Sequence, residues 1–114
     1  MSQQSRAGLE IKFTFLDGET ETDAVNIEQG AWGTILVPTG SDLIGKTLQF
    51  VAVPQADPTK FAETGLLSTP KALAAGANPL TTDEIREVGA ISNCRLQVNS
   101  AVSGDASLVL LWKA

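Results

Sequence analysis

The chain closes on SLVLLWKA, residues 107–114, and the reading of that stretch decides the fold. Termini usually fray, yet 108–112 is the most apolar run in the sequence. Leu108, Leu110 and Trp112 fall on one side of an extended strand, Val109 and Leu111 on the other. A strand apolar on both sides needs cover on both. The run therefore reads as a central or interface strand that completes the domain, with Lys113 marking the return to water. It is far too short to span a bilayer. Burial of each leucine is worth roughly 1.5–3 kcal/mol, so truncation after Ser107 is expected to unfold the domain.

The rest of the chain fits a small β domain. Its 114 residues suffice for one core and not two. With 43% hydrophobic and 18% charged residues, it lies outside the compositional range of disorder. In IKFTFL, Ile11, Phe13 and Phe15 alternate with Lys12 and Thr14, the pattern of a half-buried strand, and Asp17-Gly18 turns the chain. AVNI, around Val25 and Ile27, reads as a short return strand. AWGTILVP is a strand stopped by Pro38, which has no N–H for a ladder. TLQFVAV, 47–53, is apolar enough on both faces to be covered twice. The pattern weakens over 54–69, and PQADPTKFAETG, 54–65, reads as a long loop with Phe61 beneath it. LLSTPKALAAGA allows one or two short strands or a helical turn at 71–75.

One helix is well marked, over about 82–88. Thr81 and Glu84 have capping-box spacing, Leu80 and Ile85 the spacing of a hydrophobic staple, and Gly89 supplies a stop. Strands at 93–99 and 107–113 follow, joined by SAVSGDA. The sum is an all-β architecture, an antiparallel β-sandwich with the jelly roll as one admissible form, plus this single helix. The domain occupies 9–114, and the polar 1–8 forms a flexible N-terminal arm.

Little in the sequence points to catalysis. There is no histidine and no tyrosine, which removes the commonest general base and metal ligand. No glycine pattern makes a phosphate-binding loop. The expectation is a non-enzyme with no catalytic, cofactor-binding or metal site. Cys94, the single cysteine, cannot form an intrachain disulfide, and its alternation with Leu96 and Val98 assigns it to the core. The acids of DGETETD (Asp17, Glu19, Glu21, Asp23) echo calcium-loop spacing with Glu28. Thr22, however, stands where a glycine is needed, so they read as the wet face of a strand. Trp32 and Trp112 are expected in the core or at a subunit interface; stacking on sugar is the alternative. A net charge of −5 with scattered basic residues argues against nucleic acid. No signal-peptide pattern opens the sequence, and no membrane span is expected.

The order GAWGTILVP, LIGKTLQFVAV, LTTDEIREVGAISNCRLQVNS, ASLVLLW resembles that of small β-sandwich virion proteins of tailed bacteriophages. The matching positions are Pro38, 48–53, the helix from Thr81 to Gly89, 95–100 and 108–112. The resemblance implies a capsid decoration (cement) protein, made in the host cytoplasm and carried on the capsid surface. It would bind the major capsid protein as a homo-oligomer, with a trimer the best guess, and residues 2–8 would order on the particle. The alternative is a carbohydrate-binding or host-adhesion module of a fibre or tail appendage.

Overall fold

The computed structural model describes residues 9–26, 32–54, 63–89 and 93–113. Two antiparallel sheets face each other. The strands are β1 (Leu9–Phe15), β2 (Val25–Asn26), β3 (Trp32–Val37), β4 (Thr47–Ala52), β5 (Thr64–Gly65), β6 (Lys71–Ala72), β7 (Gly76–Pro79), β8 (Asn93–Val98) and β9 (Ala106–Lys113), with helix α1 (Thr82–Gly89) between β7 and β8. The first sheet has the order β1-β9-β3-β7. The second runs β2-β8-β4-β5, with β6 also paired to β4. If β5 and β6 count as two halves of one broken strand, the chain makes eight strands divided between two four-stranded sheets, changing sheet at every step except from β4 to that broken strand. That order is a jelly roll. The final strand lies in the middle of its sheet, flanked by the first strand and by β3.

Alternation explains the core. Phe13 and Phe15 of β1, Ile35 of β3, and Leu108 and Leu110 of β9 point inward from the first sheet, each at most 1% exposed. Leu48 and Phe50 of β4 and Cys94 and Leu96 of β8 meet them from the second, equally buried. These residues form one continuous cluster with Trp112 and the helix residue Val88, as a two-layer sandwich requires.

Helix α1 closes the side between the β7 and β6 edges. The Thr81 backbone N–H donates to Glu84 Oε1 at 2.8 Å, and the Glu84 N–H donates to Thr81 Oγ1 at 3.1 Å, the reciprocal capping box. Leu80 is buried, and Ile85 packs against the core beside it. The same Glu84 carboxylate pairs with Lys71 Nζ at 2.9 Å. Glu87 accepts from the Ser68 hydroxyl and backbone N–H. One short helix is thereby tied to the broken edge of the opposite sheet.

The structure departs from the sequence reading at one place in the middle of the chain. Residues 54–65 are not loop throughout, because Thr64 and Gly65 pair with Ala52 and Val51. The open alternative at 71–75 resolves as strand: Lys71 and Ala72 pair with Leu48 and Thr47. Between the two half-strands, a side chain makes the connection. Gln49 Oε1 accepts the Leu67 N–H at 2.7 Å and the Phe50 N–H at 2.9 Å, and its Nε2 donates to the Leu67 carbonyl at 3.0 Å. The Gln49 amide thus stands in for a missing ladder rung. The expected arm at 1–8, Ile27 of the return strand and Phe61 lie outside the described residues.

Candidate functional site

The acids of DGETETD separate. Asp17 Oδ1 accepts the Gly104 N–H at 2.7 Å, and the Asp17 N–H donates to Asp105 Oδ1 at 2.9 Å, so Asp17 joins two turns. Glu21 sits in an isolated bridge to Gln97. Thr22 is buried, and its hydroxyl accepts the Leu96 N–H at 3.0 Å. Glu19, Glu21 and Asp23 line an open groove of about 310 Å³ with Arg95. Among the described residues, no three acids or thiols come together as metal ligands. Arg95 Nε lies 3.2 Å from Glu63 Oε1 in an ion pair whose angle is too poor for a hydrogen bond.

Cys94 is 1% exposed, and burial pushes its thiol up to about 11 from the ordinary 9.0. The group is a neutral core side chain at physiological pH, as its alternation implied. Two other grooves are open. One, of about 470 Å³, runs over the second sheet along Thr47, Gln49 and Gln97, and the other, of about 560 Å³, lies between the 38–42 and 103–107 turns. The second sets Ser41, Ser103 and Ser107 among Asp42 and Asp105, whose carboxylates accept the Ser103 and Asp17 backbone N–H groups, each at 2.9 Å. Helix α1, eight residues long, is too short to cross a membrane, and no helix among the described residues can do so.

The two tryptophans part company. Trp112 is 2% exposed in the core, while Trp32 is 48% exposed. Of the two expected placements, core or subunit interface, the core does not hold for Trp32, and the cause is steric. Gly33 and Trp112 pair directly across β3 and β9, and a Cβ on Gly33 would come within 2.5 Å of Trp112 Cε3. Trp112 fills the inward space that a side chain at position 33 would occupy. With Gly33, Ile35 and Val37 facing inward, Trp32 must face out.

That outward face of the first sheet is the most distinctive surface. Its register brings residues into two rows across four strands: Lys12, Val109, Leu36 and Ala77 in one, and Glu10, Leu111, Thr34 and Pro79 in the next. Trp32 stands one step beyond, opposite Lys113. Val109, Leu111 and Leu36 are half-buried, and Ala77 and Pro79 are exposed. Thr34 is 5% exposed, with no hydrogen-bond partner for its hydroxyl. The strand parity of β9 was legible in the sequence, but the grouping of these residues with Trp32 and Pro79 needed the register.

No protein-family model, curated protein or solved structure matches the chain.

Proposed function

We propose that the chain is a non-enzymatic structural protein of a bacteriophage virion, a decoration protein that binds the capsid surface as an oligomer. The observation that carries this reading is the jelly-roll strand order, β1-β9-β3-β7 against β2-β8-β4 and its broken edge strand. Viral capsid and lectin domains make wide use of that architecture, although a fold alone does not assign a function. Two further features support the virion reading over an enzymatic one. The positions of the sequence resemblance fall on β4, α1, β8 and β9 or at their ends, with Pro38 just past β3, and the outward face of the first sheet carries half-buried Leu36, Val109 and Leu111. The test is sedimentation of the purified protein with mature and empty capsids of candidate tailed phages. Binding at a fixed stoichiometry per capsomer is expected. A strict monomer without affinity for any of them overturns the reading.

One observation favours a second reading. The Trp32 ring is half exposed on a flat sheet face, and such a ring can stack on a sugar. A carbohydrate-binding or adhesion module would give glycan-array signals that Trp32→Ala abolishes, with no capsid binding.

A further inference from the structure

The outer face of the first sheet carries an inference beyond the virion reading, and it needs no particle. We infer that this face is the contact between two copies of the chain, packed sheet against sheet about a two-fold axis.

Each of the two rows has a charged residue at its β1 end, two residues in its middle and a small side chain at its β7 end. The charges are opposite, Lys12 in one row and Glu10 in the other, both exposed on the same face of one strand. A two-fold axis that lies parallel to the sheet plane, crosses the strands at right angles and passes between the rows sets each row over the other row of the second copy. Lys12 then faces Glu10 of the second copy, and Glu10 faces its Lys12. Val109 meets Leu111 and Ala77 meets Pro79, apolar on apolar, while Leu36 meets Thr34.

An in-plane axis parallel to the strands instead sets β1 over β7 and leaves both charges above Ala77 and Pro79, unpaired. Of these two aligned packings, the first is the self-complementary one, as an isologous contact must be. Net charge sharpens the choice. The chain carries −5 and repels its own copies in general, whereas this rim is locally neutral and pairs twice across the axis. A partner of another kind would not need the two charges to sit symmetrically about the centre of the apolar rows.

Four strands about 4.8 Å apart and some six residues long at about 3.3 Å each give a face of about 400 Å² per copy. That area belongs with weak, transient interfaces, so association is expected in the micromolar to millimolar range, where Trp32 at the end of β3 adds to the contact.

The experiment is sedimentation velocity of the full chain, with native mass spectrometry, from about 1 μM to 1 mM, a range chosen to bracket weak interfaces. The wild type should pass from monomer to dimer. Glu10→Lys or Lys12→Glu alone places like charges opposite each other and should weaken dimerisation at least tenfold, as should Trp32→Ala. The double reversal E10K/K12E restores complementarity and should recover wild-type association. Both charged residues are exposed, so circular dichroism should be unchanged in every charge variant. The inference is overturned by a monomer at every concentration, by a trimer, or by single reversals that leave association unaltered. It is equally overturned if the free chain stays monomeric and the same variants lose capsid binding, since the face would then belong to the capsid.

Discussion

Trp112 lies over Gly33, its pairing partner across the β3–β9 ladder, so closely that position 33 has no room for even a methyl group. The contact explains three features together. A glycine interrupts an otherwise apolar strand, Trp32 is turned to the surface, and the end of the chain is anchored rather than frayed. Gly33→Ala should therefore force the indole off its position and destabilise the domain by about 1–3 kcal/mol, the usual range for overpacking. Urea denaturation followed by far-ultraviolet circular dichroism would read this. A change within a few tenths of a kcal/mol would mean that Trp112 is not held there.

Gln49 makes two hydrogen bonds to Leu67 in the gap between the two half-strands and accepts a third from the neighbouring Phe50 N–H. Gln49→Ala leaves the Leu67 backbone groups without those partners. The cost should be about 1–3 kcal/mol, as for other orphaned polar groups. Amides near Leu66 and Leu67 should also exchange faster in the variant by NMR. Gln49→Glu keeps an acceptor for the Leu67 N–H but loses the donor to the Leu67 carbonyl, and should fall between the two.

Cys94 should be inert in the native protein. With its thiol raised to about 11 and its sulfur buried, reaction with Ellman's reagent at pH 8 should follow global opening and become rapid only in denaturant. Rapid, stoichiometric labelling of the folded protein would place the thiol outside the core.

Burial pushes the Glu84 carboxyl up, but the Thr81 backbone N–H, the Lys71 ammonium and the Thr81 hydroxyl outweigh it and hold it below its ordinary 4.5. A carboxyl with a lowered folded value contributes stability that is present above its unfolded value and lost as pH falls through the folded one. Glu84→Gln should thus be less stable than wild type above about pH 5, with the gap closing as pH drops below 4. Urea midpoints between pH 3 and 7 measure this; a gap that stays constant would remove the charge from the account.

What could be read from the sequence was local or strictly periodic. The Thr81–Glu84 box spans three residues, and its hydrogen bonds form where the spacing puts them. The two-sided apolar pattern of β9 announced a strand that needs cover on both faces. What was hidden depends on distant partners. Thr64 and Gly65 have no strand-like pattern of their own, and they pair because β4 offers an edge and Gln49 holds the gap. Parity told that Trp32 opposes Gly33, but only Trp112, eighty positions away, decides which of the two faces inward. The uncovered sheet face was half visible: Val109 and Leu111 were known to need cover, while Glu10, Lys12, Leu36 and Trp32 joined them only through register.

The central place of the last strand underlies both the jelly roll and the two-fold contact, and hydrogen exchange of backbone amides tests it most directly. The amides of Leu108, Leu110 and Trp112 should exchange only through global unfolding, with opening free energies equal to the stability from denaturation. Fast exchange across 108–112, as expected for a frayed terminus, would contradict the account.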